Sequence, residues 1–148
     1  MGKSTTAQMF RDEGVPVWDA DAAVHELYAK GGAAVSPIQT ALPEAVVDGW
    51  VSRDRLKQMI ADDLGVLREL EIIVHPLVAQ HRAAFLDANN GPLVVFDIPL
   101  LFETSAQGWF TSVLVVSAPA DVQKDRVMAR PGMSEDQFER IIVRQMPD

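Results

Sequence analysis

Leu93-Val94-Val95-Phe96 is an unbroken apolar run that ends in Asp97, and no other feature restricts the fold of this chain as strongly. A strand with one wet face alternates polar and apolar side chains. A run without alternation, bounded by the turn signal Asn89-Asn90-Gly91-Pro92, reads instead as a strand buried on both faces, as in a parallel sheet. Val113-Leu114-Val115-Val116 is a second such run, ended by Ser117-Ala118-Pro119. A shorter β-prone segment, Val15-Pro16-Val17-Trp18, leads straight into Asp19-Ala20-Asp21. Its proline suits a strand start or an edge.

Between these runs the spacing is helical. Ser4 to Arg11 suits a helix stopped at Gly14, and Ala22 to Tyr28 a second, interrupted by Gly31-Gly32. Ala33 to Leu42 is ambiguous because Pro37 and Pro43 limit any helix there. Ser52 is a plausible N-cap for a helix with Leu56, Met59, Ile60 and Leu64 on one side. Leu67, Leu70, Ile73 and Val74 repeat at helical spacing up to His75-Pro76, and Leu77 to Leu86 carries the pattern past the proline. The middle third therefore reads as helical throughout. Two more helices are expected, Asp121 to Arg130 and Ser134 to Gln145, the second opened by a capping box of Ser134 and Gln137. Strands alternating with helices predict right-handed crossovers and an α/β fold with a parallel sheet.

With 148 residues, 48% of them hydrophobic, the expectation is one domain with a sizeable core. A net charge of −8 argues against a general nucleic-acid binder, whose affinity comes from Lys and Arg neutralising phosphates. No apolar run approaches the roughly 20 residues needed to span a bilayer, and no signal-peptide core is present, so neither a membrane nor a nucleic acid is an expected partner. The absence of cysteine excludes disulfides and thiolate metal sites and is compatible with a cytoplasmic location.

In open parallel sheets ligands bind beyond the carboxyl ends of strands, so the polar residues there matter most. Gly2-Lys3-Ser4-Thr5 is the back end of a phosphate-binding loop, in which the lysine neutralises outer phosphates and the hydroxyl holds Mg²⁺. Asp97 follows its strand as a metal-supporting carboxylate does, although a strand-terminating turn or cap explains it equally well. Asp19 and Asp21 share a face if the strand continues, and one of them near a reacting hydroxyl would accept or orient its proton. Capping the next helix is the competing role. Arg126, Arg130, Arg140 and Arg144 suit bidentate phosphate binding, or a salt-bridged pair of helices with Asp121, Asp125, Glu135 and Glu139. His25, His75 and His81 lack metal-ligand spacing, and a structural or substrate-contacting role suits each better than catalysis.

Taken together, Gly2-Lys3-Ser4-Thr5, Val17-Trp18-Asp19-Ala20-Asp21 with His25, His75-Pro76, Asp97-Ile98-Pro99-Leu100-Leu101-Phe102-Glu103 and the run Arg126 to Gln145 resemble the dephospho-CoA kinase family over essentially the whole chain. The resemblance implies a P-loop kinase-like parallel sheet with flanking helices, in a single domain with its core at 1–20 and 92–148, a helical acceptor-binding insertion at about 21–91 and a lid at about 126–145. It implies transfer of the γ-phosphoryl group of ATP to the ribose 3′-hydroxyl of dephospho-CoA, with Mg²⁺. By position, Gly2, Lys3, Ser4 and Thr5 would hold the ATP phosphates, Ser4 and Asp97 the metal, and Asp21 would act as base or orienter. Asp19, His75, Leu101, Phe102 and Glu103 would contact the acceptor, and Arg130 and Arg140 would bring lid charge to the transferring group.

Relative to the family, the first strand and the loop's initial glycines read as missing, as does the last strand. Loss of a central strand would leave buried N–H and C=O groups unpaired at about 1–3 kcal/mol each, against a total stability of about 5–15 kcal/mol. Low stability and poor activity are therefore expected of the chain as written. Two alternatives are a non-catalytic remnant that binds CoA-like ligands or nucleotide, and another P-loop small-molecule kinase.

Overall fold

The computed structural model describes residues 2–129, 132–135 and 138–139. In chain order the elements are α1 (Lys3–Asp12), β1 (Val17–Asp19), α2 (Ala20–Tyr28), α3 (Val35–Ala41), β2 (Val46–Val47), β3 (Trp50–Val51), α4 (Arg53–Asp62), α5 (Leu64–Ala88), β4 (Val95–Asp97) and α6 (Ala120–Met128). β1 and β4 pair in a two-stranded parallel sheet, and β2 with β3 in a second sheet. The fold is α/β, as the alternation of strands and helices predicts, but the run from Leu93 is not buried on both faces: β4 begins at Val95, Val95 and Phe96 are half-buried, and Leu93 is 52% exposed. The chain forms two compact units, one from 16–96 and one from the described residues of 1–15 and 97–148.

The unit 16–96 is built around α5. Ala34, Ile38 and Ala45 are fully enclosed, and Leu27, Val51, Leu56 and Val74 close around them, with Leu70, Ile73, Leu77 and Val78 of α5 packed on the outside. Those α5 positions recur every three or four residues, which puts them on one face of the helix. Burying a side chain such as Ile38 stabilises the unit by about 1.5–3 kcal/mol. α4 and α5 are capped by side chains: Arg55 N–H donates to Ser52 Oγ at 3.3 Å and Gly65 N–H to Asp63 Oδ1 at 2.7 Å. Pro76 lies inside α5 and has no N–H to give the carbonyl of Ile72. Both residues are exposed, so water reaches that carbonyl and the helix continues.

Two expectations are corrected. The middle third is not helical throughout, because Val46 pairs with Val51 and Val47 with Trp50 in an antiparallel hairpin. Its turn is Asp48-Gly49, with φ of 51° and 84°, the left-handed pair that a tight hairpin turn requires. The second correction concerns Val113 to Val116, which forms no strand. A strand exists only through a ladder with a neighbour, and among the described residues nothing pairs with this segment. Val113, Leu114 and Val115 are accordingly 39%, 65% and 57% exposed.

No helix among the described residues is long and apolar enough to cross a membrane. The expected helix from Ser134 to Gln145, with Gln137 and Arg144, lies largely outside the described residues.

Candidate active site

In the unit formed by 1–15 and 97–148, α1 begins directly after Gly2. Gly2 has a φ of 117°, which L side chains rarely adopt. Val116 Cγ1 would meet an added Cβ at an ordinary 3.5 Å, so the backbone angle, not space, calls for glycine. No side chain among the described residues caps this helix, and its first internal bond runs from Thr6 N–H to Gly2 O at 2.9 Å. The N–H groups of Lys3, Ser4 and Thr5 precede that bond, at the positive end of the helix dipole, where an anion is favoured.

Lys3 Nζ donates to Asp97 Oδ1 at 2.5 Å. The lysine side chain is 42% exposed and the aspartate side chain 3%. Asp97 is the one charged residue buried among the described residues, and β4 carries it there as its last residue. A buried carboxylate needs a counter-charge and donors for its lone pairs. Lys3 satisfies one oxygen, and the other, Oδ2, is buried and has no hydrogen-bond partner among the described residues. That acceptor suits Mg²⁺, directly or through a bound water. Among the described residues no group of three or more His, Cys, Asp and Glu side chains could hold a metal alone. Ser4 and Thr5 are exposed in the first turn of α1.

After β4 the chain turns through Leu100 to Ser105, with Leu100 and Ser105 at φ of 56° and 54°. Leu101 is half-buried, while Phe102 and Glu103 are exposed. The turn is fastened by Thr104 N–H and Thr104 Oγ1, both donating to Leu100 O. On α6, Arg126 is exposed. The ion pair seen nearby uses Lys124 Nζ and Glu135 Oε1, at 2.6 Å. That hydrogen bond raises the lysine pKa and lowers that of Glu135. Arg130 and Arg140 lie outside the described residues.

The unit 16–96 holds the other candidates. Asp19 ends β1 and caps α2, accepting Ala22 N–H on Oδ1 at 3.0 Å, so the capping role weighed for this pair falls to Asp19. Asp21 stands exposed in the first turn of α2, and His75 is exposed on α5. Behind the aspartates, Trp18 is 4% exposed and donates its indole N–H to His81 Nδ1 at 3.0 Å. His81 Nε2 lies 3.1 Å from Glu26 Oε2. Nothing in the sequence signals this chain of contacts, because its partners are 63 and 55 positions apart.

A parallel α/β fold with a lysine at an uncapped helix start, paired to a strand-end aspartate, defines a P-loop kinase-like protein. The family can be named more closely. A profile described as dephospho-CoA kinase matches residues 1–148, and the chain belongs to the dephospho-CoA kinase family. It is 58% identical to the dephospho-CoA kinase of Ruegeria pomeroyi, over all of this chain and 75% of that protein. Identity to the dephospho-CoA kinase of Jannaschia sp. is 54%, over all of this chain and 76% of that protein. The crystal structure of TT1252 from Thermus thermophilus superposes with a TM-score of 0.81 at 37% identity, covering 99% of this chain and 75% of that one.

Proposed function

We propose that this chain transfers the γ-phosphoryl group of ATP to the ribose 3′-hydroxyl of dephospho-CoA, the last step of coenzyme A synthesis. The observation that carries the reading is the Lys3–Asp97 pair at the uncapped start of α1, in a member of the dephospho-CoA kinase family. The hydroxyl oxygen forms a bond to the γ-phosphorus as the bond from that phosphorus to the ADP oxygen breaks, and the hydroxyl proton must leave. Asp21 accepts or orients that proton. Lys3 has three N–H donors, so it can keep Asp97 while reaching a phosphate oxygen. The N–H groups of the first turn of α1 and Thr5 bind further phosphate oxygens.

Mg²⁺, when bound, neutralises charge on the β- and γ-phosphate oxygens. Ser4 and Asp97 would hold it, and the unpartnered Asp97 Oδ2 supports that assignment. Asp19, His75, Leu101, Phe102 and Glu103 are assigned to the acceptor. Arg130 and Arg140 are assigned to the lid by sequence position alone, with the task of stabilising developing charge and excluding water. A cysteine-free sequence supports a reducing, cytoplasmic setting.

The test is ADP release by the full chain with Mg²⁺ and ATP, with and without dephospho-CoA and with other hydroxyl-bearing acceptors. Release that requires dephospho-CoA, and falls at least about 100-fold in Asp21→Asn as expected for loss of a general base, is the predicted outcome. ADP release indifferent to dephospho-CoA would overturn the reading.

A further inference from the structure

β1 is a strand of three residues and has one neighbour among the described residues, so that ladder fixes it weakly. Val95 N–H to Pro16 O, at 2.9 Å, lies at its edge. Side chains must supply the rest. Trp18, the middle residue, is the buried one. Its ring packs on Phe96 at a centroid distance of 5.7 Å, and Phe96 packs in turn on Phe85 at 5.8 Å. These contacts hold the ring sideways but leave its polar N–H to be satisfied, and a buried indole N–H needs an acceptor. His81 provides it.

An indole N–H only donates, so the His81 nitrogen facing it must carry a lone pair. The ring proton therefore sits on Nε2, where it faces the Glu26 carboxylate. Each nitrogen of His81 has one permitted role, and the two roles agree. The imidazole joins α5 to α2 through Glu26 and to β1 through Trp18. Asp19 is the next residue after Trp18, and Asp21 lies two further on.

We infer that His81 is a positioning residue of the phosphoryl transfer, which holds Trp18 in place and thereby sets where Asp19 and Asp21 stand at the end of β1. This rests on the proposed function for its catalytic consequence, but the geometric part stands apart from it.

Two substitutions separate the arms of the tether. In His81→Asn the amide takes the place of Nδ1 and can still accept from Trp18. In His81→Gln it takes the place of Nε2 and reaches Glu26 but not Trp18. Amide resonances of Asp19 and Asp21, with the Trp18 indole N–H resonance, report geometry. The kcat and the separate KM values for ATP and acceptor report chemistry. His81→Asn is expected to keep all three resonances near their original positions and kcat within about threefold. His81→Gln is expected to shift them and to lower kcat about tenfold with the ATP KM unchanged, the scale of one lost hydrogen bond.

The unsubstituted protein gives a check that needs no variant to fold, since ¹⁵N spectra of His81 should show the proton on Nε2 and a bare Nδ1. A proton on Nδ1 would overturn the inference. So would Asn and Gln variants that leave Asp19 and Asp21 equally undisturbed. If the unsubstituted chain lacks acceptor-dependent ADP release, the functional reading fails and the catalytic role of His81 with it. The resonances of Asp19 and Asp21 then still decide the tether.

Discussion

Lys3 Nζ and Asp97 Oδ1 meet at 2.5 Å across 94 positions of sequence. The aspartate is enclosed and the lysine partly wet, so the two ends of the bond are not equivalent. Removing the lysine strands a buried charge, whereas removing the aspartate frees an ammonium that water can reach. Lys3→Met is therefore expected to cost about 1–3 kcal/mol. Asp97→Asn in the same chain should recover part of the loss. Urea denaturation of the two single variants and the double variant measures both effects, and equal losses from the two single changes would contradict this asymmetry.

Asp19 serves α2 as its N-cap, so stability and acceptor chemistry should part company at this position. Asp19→Asn keeps an oxygen for Ala22 N–H and should stay within about 0.5 kcal/mol of the parent, while Asp19→Ala should lose about 1 kcal/mol. If Asp19 also contacts the acceptor, both variants raise the KM for dephospho-CoA. Thermal melts alongside steady-state kinetics distinguish the two roles.

Tyr28 is 8% exposed, and burial raises its pKa above the ordinary 10.0, opposed by the Arg53 guanidinium that lies 5.9 Å from the ring centroid. A raised folded-state pKa means that folding favours the protonated phenol. The contribution is whole below the unfolded value of 10.0 and is lost as pH rises through the folded value. Denaturation midpoints should therefore fall more steeply above pH 10 in the parent than in Tyr28→Phe. Parallel slopes would count against it.

Gly32 is the tightest glycine of the unit 16–96, since an added Cβ would sit 2.3 Å from Leu27 O and 2.5 Å from Glu26 O. These are backbone atoms at the end of α2 and cannot rotate away. Gly32→Ala should cost about 1–3 kcal/mol, the scale of overpacking. Gly14→Ala, at a φ of 75° but with open space around it, should cost about 1–2 kcal/mol from its backbone angle alone. Midpoints of thermal unfolding for the two variants would separate steric from conformational cost.

Where an element's reason is local, the sequence reveals it. Ser52 caps α4 and Asp97 closes β4, as their neighbours suggest. Asp48-Gly49 carried an equally local hairpin signal, but only two residues on each side pair, too few for alternation to be seen. Val113 to Val116 fails for the opposite reason. An apolar run is a statement about burial, and its strand exists only if another segment lies alongside. The Lys3–Asp97 bond was suggested by motif order, yet the orphaned Oδ2 is a property of packing that no spacing encodes. The Trp18–His81–Glu26 contacts are invisible for the same reason.

The hairpin of β2 and β3 joins residues that are almost adjacent, and most of the core around Ile38 comes from α2, α3, α4 and the middle of α5. The hairpin and the packing of α4 on α5 close short loops, whereas the packing of α2 on α5, the pairing of β1 with β4 and the bond between Lys3 and Asp97 close longer ones. Loop closure costs more entropy as the enclosed chain lengthens, and non-local pairing is slow. Refolding is thus expected to proceed in a fixed order. Helical signal and burial of Ile38 should appear early. The strand ends that present Asp19 and Asp97 should acquire amide protection last, so that a chain emerging from synthesis passes through a compact form whose chemistry has not yet been assembled.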